Sequence, residues 1–145
     1  MVLTESDSFR KNQNKTLYTA CFFDKQANLY LLSKRKGKLL EKEIRNLHMT
    51  LQYKPQEVNE NLIGERIKVS LIGYANDGNN EGFLVSACSE NKELQSLIDN
   101  LSVPHITTST SCHGKSVNTS FLEFEPIEEF EIIGVFGCCV SDSPS

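Results

Sequence analysis

The sequence predicts an α+β domain built mostly from antiparallel strands. Three observations carry that expectation. Short runs rich in aliphatic, aromatic and β-branched residues lie between turn-forming clusters. Two stretches, 25–46 and 91–100, read as helical. The tripeptides His48-Met49-Thr50 and His105-Ile106-Thr107 each fall on a strand that follows one of those helical stretches, which predicts two similar lobes around a central cleft.

Taken in order, residues 1–15 are polar and are expected to form a flexible tail. Leu17 to Phe23 is the first apolar run, a strand closed by Asp24. Lys25 to Asn46 mixes apolar and basic residues and is expected to be mostly helical, with Gly37 dividing it. Leu47 to Tyr53 is a strand stopped by Pro55, and Arg66 to Tyr74 is another. Asp77-Gly78-Asn79-Asn80 is a turn, and Gly82 to Ala87 returns as the hairpin partner. Asn91 to Asn100 places Leu94, Leu97 and Ile98 on one helix face, with Ser89 or Asn91 near the cap. Val103 to Ser109 is a strand, Thr110 to Lys115 a polar loop, and Val117–Phe124 and Phe130–Val140 read as two more strands. The expected layout is a single domain over 16–140, with a polar end at 141–145.

With 145 residues the chain has material for one core, not two. Its formal net charge of −4 argues against binding long duplex nucleic acid through bulk charge. A terminus or a small nucleotide is a different matter, and the charge is uneven. Lys34, Arg35, Lys36, Lys38, Lys42 and Arg45 precede the first tripeptide, where they read as a solvated helix face or a phosphate-steering patch. No run is long and apolar enough to span a membrane, and the first residues carry no apolar signal core. The five cysteines form no CxxC pair, so the expectation is a reduced, cytoplasmic protein, and a monomer.

Two of the three histidines meet a threonine two residues later. In a strand, residues i and i+2 share a face, so each tripeptide aims an imidazole and a hydroxyl one way and buries its middle residue. By the same alternation Gln52 joins His48 and Thr50, Ser109 joins His105 and Thr107, and Tyr53 faces away. Histidine titrates near neutrality, so one copy can accept a proton while the other gives one. Thr50 and Thr107 would then hold phosphoryl oxygens. This is a site for phosphoester chemistry without a metal or cofactor. Tyr18 is a candidate for stacking on a base, and Lys115 for neutralising phosphate.

The paired tripeptides resemble the two His-x-Thr motifs of the 2H phosphoesterase superfamily. From Leu47 to Phe124 the layout is similar to the cyclic phosphodiesterase domain of fungal-type tRNA ligases: first motif, Gly-containing hairpin (Gly73, Gly82), Pro104-His105-Ile106-Thr107, then Val117-Asn118 leading to Leu122. The family places an apolar residue after the threonine; Leu51 fits and Thr108 does not. The resemblance implies a bilobal, LigT-like fold, no required metal, and 2′-linked or 2′,3′-cyclic RNA-type phosphoesters as substrates. Partners would be RNA ends, cyclic nucleotides or short oligonucleotides.

Other arrangements suit the residues less well. A metal site from His48, His105 and His113 with Cys112 lacks the short ligand spacings zinc favours. The stretch Ser109 to Ser116 ends in Gly114-Lys115-Ser116 like a phosphate loop, without its leading glycine or a following helix. Adjacent Cys112 and His113 would point to opposite faces of a strand, which does not suit a nucleophile and its base. The non-enzymatic alternative is a module that reads phosphorylated RNA ends or cyclic nucleotides with the same cleft.

Overall fold

A computed structural model of the chain describes residues 1–12 and 15–141. Of the polar end expected at 141–145, residues 142–145 lie outside the described residues. The elements run β1 (Val2–Leu3), α1 (Ser6–Asn12), β2 (Thr16–Phe22), α2 (Lys25–Ser33), β3 (Lys42–Glu43), β4 (His48–Tyr53), β5 (Arg66–Asn76), β6 (Asn80–Cys88), α3 (Lys92–Asp99), β7 (His105–Thr110) and β8 (Glu125–Val140). Short 3-10 turns cover Glu60–Leu62 and Ser116–Phe121.

The strands form one eight-stranded sheet in the order β3-β7-β6-β5-β8-β2-β4, with β1 added to β8, and the pairings are antiparallel. The α+β, antiparallel expectation is correct. The order also contains an internal two-fold. The segment β2-α2-β4-β5 corresponds to β6-α3-β7-β8: β2 pairs β4 and β8, and β6 pairs β7 and β5. Each half therefore lends its last strand to the other, and β5 pairs β8 at the junction. The strands β4 and β7, far apart in the sheet order, pack against each other, so the sheet closes on itself around a cleft.

Local chemistry starts both principal helices. Asp24 caps α2 by accepting from Ala27 N at 2.7 Å, and Asn91 caps α3 by accepting from Leu94 N at 3.1 Å. Their buried faces, Leu31 on one and Leu94 and Ile98 on the other, enter a core shared with Met49, Ile67, Leu71, Phe83, Ile106 and Phe136. Met49 and Ile106, the middle residues of the two tripeptides, are both 0% exposed. Each contributes about 1.5–3 kcal/mol by that burial and locks its strand's facing.

Three expectations are corrected. The N-terminal residues, expected as a flexible tail, carry β1 and α1. Leu3 and Phe9 pack with Cys138 and Val140, and Arg10 pairs with Glu60 at 3.0 Å. Isolated apolar residues in a polar stretch show no periodicity, and only the edge of β8 gives them a partner. The helix after Asp24 ends at Ser33 rather than reaching Asn46, and Gly37 takes a left-handed backbone (φ 79°). Finally, Val117–Phe124 is not a strand: its first part is a 3-10 turn, and β8 begins early, at Glu125.

The loop after α2 is held by a buried carboxylate. Glu81 on β6 is 0% exposed. Arg35 Nε donates to its Oε1 at 2.8 Å, while Arg35 Nη2 lies 2.7 Å from Oε2 in charge contact without hydrogen-bond alignment. The hydroxyls of Thr108 and Ser109 donate to Oε1, each at 2.7 Å, and Tyr74 donates to Oε2. Burial pushes the Glu81 carboxyl up, but the bonds from Arg35, Tyr74, Thr108 and Ser109 outweigh it and hold it below its ordinary value. The Leu40 amide donates to Ser109 Oγ at 3.0 Å, and β3 pairs β7, so the loop is strapped across the second half of the fold.

Because the native carboxyl is depressed, ionised Glu81 stabilises the fold above 4.5, its ordinary value, and that contribution is lost as pH falls through the native value. Glu81→Gln strands the Arg35 charge and is expected to cost about 3 kcal/mol at neutral pH. Urea midpoints measured between neutral and acid pH should converge for wild type and variant as the pH drops.

Candidate active site

The cleft between β4 and β7 is a cavity of ≈ 690 Å³. His48 and Thr50 from β4 line it, as do His105 and Thr107 from β7. The two tripeptides thus meet in one cavity. Local pins set both strands. The Leu47 amide donates to Asn28 Oδ1 at 2.9 Å, and Asn28 Nδ2 bonds the Phe23 and Asp24 carbonyls at 2.9 and 2.8 Å. On the other side, Val85 N donates to the Pro104 carbonyl at 3.1 Å.

Each histidine is oriented in the same way. His48 Nδ1 lies 2.7 Å from the Asn46 carbonyl, and His105 Nδ1 lies 2.9 Å from the Val103 carbonyl, in each case two residues back. A carbonyl only accepts, so both Nδ1 atoms carry a proton. That fixes the tautomer and leaves Nε2 as the free nitrogen of each ring.

The surroundings of the two rings differ. Tyr18 stacks on His48 (centroids 4.9 Å apart, planes at 19°), and Phe22 stands 5.6 Å away. Burial lowers the His48 pKa below its ordinary value; the Asn46 carbonyl partly opposes this, and the neighbouring His105 lowers it further. His48 is therefore neutral at physiological pH, with an unprotonated Nε2. Burial also raises the Tyr18 phenol well above its usual range.

The threonines differ too. Thr50 makes no side-chain hydrogen bond among the described residues, so its hydroxyl is free to donate. Thr107 Oγ1 lies 3.0 Å from the Ser116 carbonyl and 2.8 Å from Thr119 Oγ1. Asn80 Nδ2 in turn donates to Thr119 Oγ1 at 3.0 Å. The Ser116 carbonyl can only accept, so the donors run Asn80 to Thr119 to Thr107, and the Thr107 proton goes to that carbonyl. Thr119 is 0% exposed, and Gly82 leaves room for it: a Cβ on Gly82 would stand 2.6 Å from Thr119 Cγ2. The same Asn80 amide bonds the Lys115 carbonyl at 2.6 Å and so holds the segment that brings Lys115, Ser116 and Val117 to the cavity.

Tyr18 and Lys115, both singled out in the sequence, line the cavity. Gln52 and Ser109 do not. Gln52 Oε1 accepts from Thr19 Oγ1 at 3.0 Å, and Ser109 serves the buried Glu81. One cause displaces both. Gln52 pairs with Thr19 and Thr50 with Ala20, so Leu51 is an inserted residue in β4. Ser109 pairs with Glu81 and Thr107 with Gly82, so Thr108 is inserted in β7. A bulge after each threonine breaks the alternation and moves the next polar residue off the cleft face. It also brings Tyr53, expected to face away, onto the cavity at 74% exposure. Thr108, unusual in following the motif threonine, is polar because it bonds Glu81.

The remaining walls, Ile44, Leu51, Leu101 and Val117, are apolar, and no carboxylate is among the lining residues. Sequence reasoning missed Ile44, Leu101, Ser116 and Val117 as cavity walls; no local pattern marks them, because the segments that carry them are placed by tertiary packing. Of the basic run, Lys34 lies over the rings of Tyr30 and Phe130, Arg35 is taken by Glu81 and Lys42 bonds the Cys112 carbonyl, and none of the six lines the cavity. Cys112 and His113 are exposed outside it, and no group of three metal-ligating side chains occurs among the described residues. Lys115-Ser116 leads into a 3-10 turn, not an α-helix N-terminus, so no phosphate loop forms. The arrangement offers an anion-receptive, carboxylate-free cavity with two oriented imidazoles and two hydroxyls. Compared with known proteins, the chain matches no family model, and neither curated proteins nor solved structures give a match.

Two outcomes test this geometry. Tyr18→Ala opens the His48 ring to water and should raise its pKa, read by NMR titration of the imidazole carbons. Thr119→Val leaves Asn80 and Thr107 each short of a partner; it should cost about 1–2 kcal/mol and weaken binding of inorganic phosphate, with Thr119→Ser restoring both.

Proposed function

We propose that the chain is a metal-independent phosphodiesterase of the bilobal 2H kind, which opens RNA-type 2′,3′-cyclic phosphates or cleaves related 2′-linked phosphodiesters. The observation that carries this reading is the matched pair of imidazoles, each with Nδ1–H tied to the carbonyl two residues back, on one cavity with two motif threonines. The internal two-fold of the strand order supports the bilobal assignment.

The inequality of the two histidines assigns the roles. His48, held neutral by burial, takes a proton from water at Nε2 as the oxygen attacks phosphorus. The bond from phosphorus to the departing ribose oxygen breaks, and His105 Nε2–H protonates that oxygen. Thr50 donates to one non-bridging oxygen, Thr107 donates to another by turning its proton away from the Ser116 carbonyl, and Lys115 offsets the charge on these oxygens as it grows. The product is a phosphomonoester; His48 ends protonated, His105 neutral, and exchange with water resets them. A ribose hydroxyl in place of water would use the same groups on a 2′-5′ or cyclic oligonucleotide.

The test is an EDTA-treated activity screen of wild type, His48→Ala and His105→Ala. The substrates are nucleoside 2′,3′-cyclic phosphates, 2′-5′ oligoadenylate and cyclic di- and trinucleotides. Turnover should survive chelation and fall at least about 100-fold in each variant. The rate should rise with pH as His48 loses its proton, at a pH below the ordinary histidine value. Tight binding without turnover would make the chain a reader of phosphate ends; activity lost to EDTA and restored by metal would overturn the two-histidine mechanism.

A further inference from the structure

A second cavity of ≈ 490 Å³ lies beyond Tyr53, where β4 ends. Lys15, Thr16 and Lys54 line it with apolar walls from Phe9, Pro55 and Val58, and no carboxylate is among its lining residues. The two cavities meet at adjacent residues: Tyr53 lines the first and Lys54 the second.

The junction has an uncommon backbone. Lys54 is the one non-glycine residue with positive φ among those described, at 48°, held by the hydrogen bond its N–H donates to the Leu17 carbonyl at 2.8 Å. Consecutive side chains of a regular strand point to opposite faces. Here the left-handed turn brings the two together, and Lys54 Nζ lies 5.5 Å from the Tyr53 ring centroid. Such strain persists where surrounding structure enforces it, and it concentrates at ligand clamps. Lys15 is fixed as well, its carbonyl accepting from Ser141 N at 2.9 Å. A protein with net charge −4 thus sets two ammonium groups around an acid-free cavity, next to an exposed aromatic ring that also borders the catalytic histidines.

We propose that this second cavity is the subsite for the neighbouring nucleotide of a single-stranded RNA-type oligonucleotide whose terminal cyclic phosphate lies between His48 and His105. Tyr53 stacks the adjoining base, and Lys15 and Lys54 take the next phosphate. Base–aromatic stacking beside a basic groove is how single strands are held without sequence reading. The proposal rests on the phosphodiester reading above and narrows it: the preferred substrate is an oligonucleotide end, not a mononucleotide.

The experiment compares adenosine 2′,3′-cyclic phosphate with the trinucleotide ApApA ending in a 2′,3′-cyclic phosphate, for wild type and the Lys15→Ala/Lys54→Ala double variant. Wild type should favour the trinucleotide about tenfold in kcat/KM, and the variant should lose that preference. Binding of the unreactive trinucleotide 3′-phosphate, read by anisotropy, should weaken in parallel, with the log–log salt slope reduced by roughly 0.7, the increment for one single-strand phosphate contact. Tyr53→Ala should lower trinucleotide binding, and Tyr53→Phe should keep it. If wild type turns over both substrates equally, or the lysine variant keeps the preference, the subsite is wrong. If nothing is turned over but trinucleotide binding still depends on the two lysines, the enzyme reading fails and the subsite stands.

Discussion

The site depends on a single constraint applied twice: one extra residue in each motif strand immediately after its threonine. Leu51 in β4 and Thr108 in β7 are inserted opposite a continuous partner strand. Upstream of each insertion the alternation is regular, so His48 and Thr50, or His105 and Thr107, share the cleft while Met49 and Ile106 fill the core. Downstream of it the facing is reversed. A strand without the insertion would put Gln52 and Ser109 into the cleft and leave Glu81 without one of its donors. The same insertions turn Tyr53 to the cavity mouth and allow the closed sheet to bend where its ends meet.

The two halves are alike in backbone and unlike in chemistry. Topology gives each half a histidine whose Nδ1–H is satisfied by the carbonyl two residues earlier, so orientation is a property of the repeated strand. Surroundings then make the two copies differ. Tyr18 and Phe22 desolvate one imidazole, whereas a buried chain through Thr119 and Asn80 orders the hydroxyl beside the other. The proposed chemistry needs an acid and a base together, and unlike ring neighbours are a direct way to obtain both from one residue type.

Glu81 joins the site to the rest of the molecule. Its partners come from the loop after α2, from β5 and from the bulge of β7, so one carboxylate ties three elements that are far apart in the chain. A buried charge of this kind adds little net stability against an apolar core of the same volume, but it penalises any packing that leaves it unpaired. It specifies the path of residues 34–43 and, through them, the wall that Ile44 adds to the cavity. This explains why the basic run is not a continuous helix face: Arg35 is withdrawn to meet Glu81, and the Lys36 carbonyl sits 2.7 Å from the Tyr74 hydroxyl that serves the same carboxylate.

By itself the sequence determined the α+β, mostly antiparallel class, the end of the first long strand near Asp24, a helix capped near Ser89 or Asn91, the hairpin at Asp77–Asn80, and the four side chains of the two tripeptides. Each of these depends on near neighbours: a period of two, a capping side chain, a turn dipeptide. Tertiary structure alone decided which residues join them. Gln52 and Ser109 were lost because a bulge is visible only against a partner strand, and Tyr53 was gained for the same reason. The N-terminal strand and the 3-10 turn at Ser116–Phe121 exist because Cys138–Cys139 and Gly82 offer them places to pack. The desolvation of His48 also follows from packing, since nothing in its tripeptide announces that Tyr18 will cover the ring and lower its pKa.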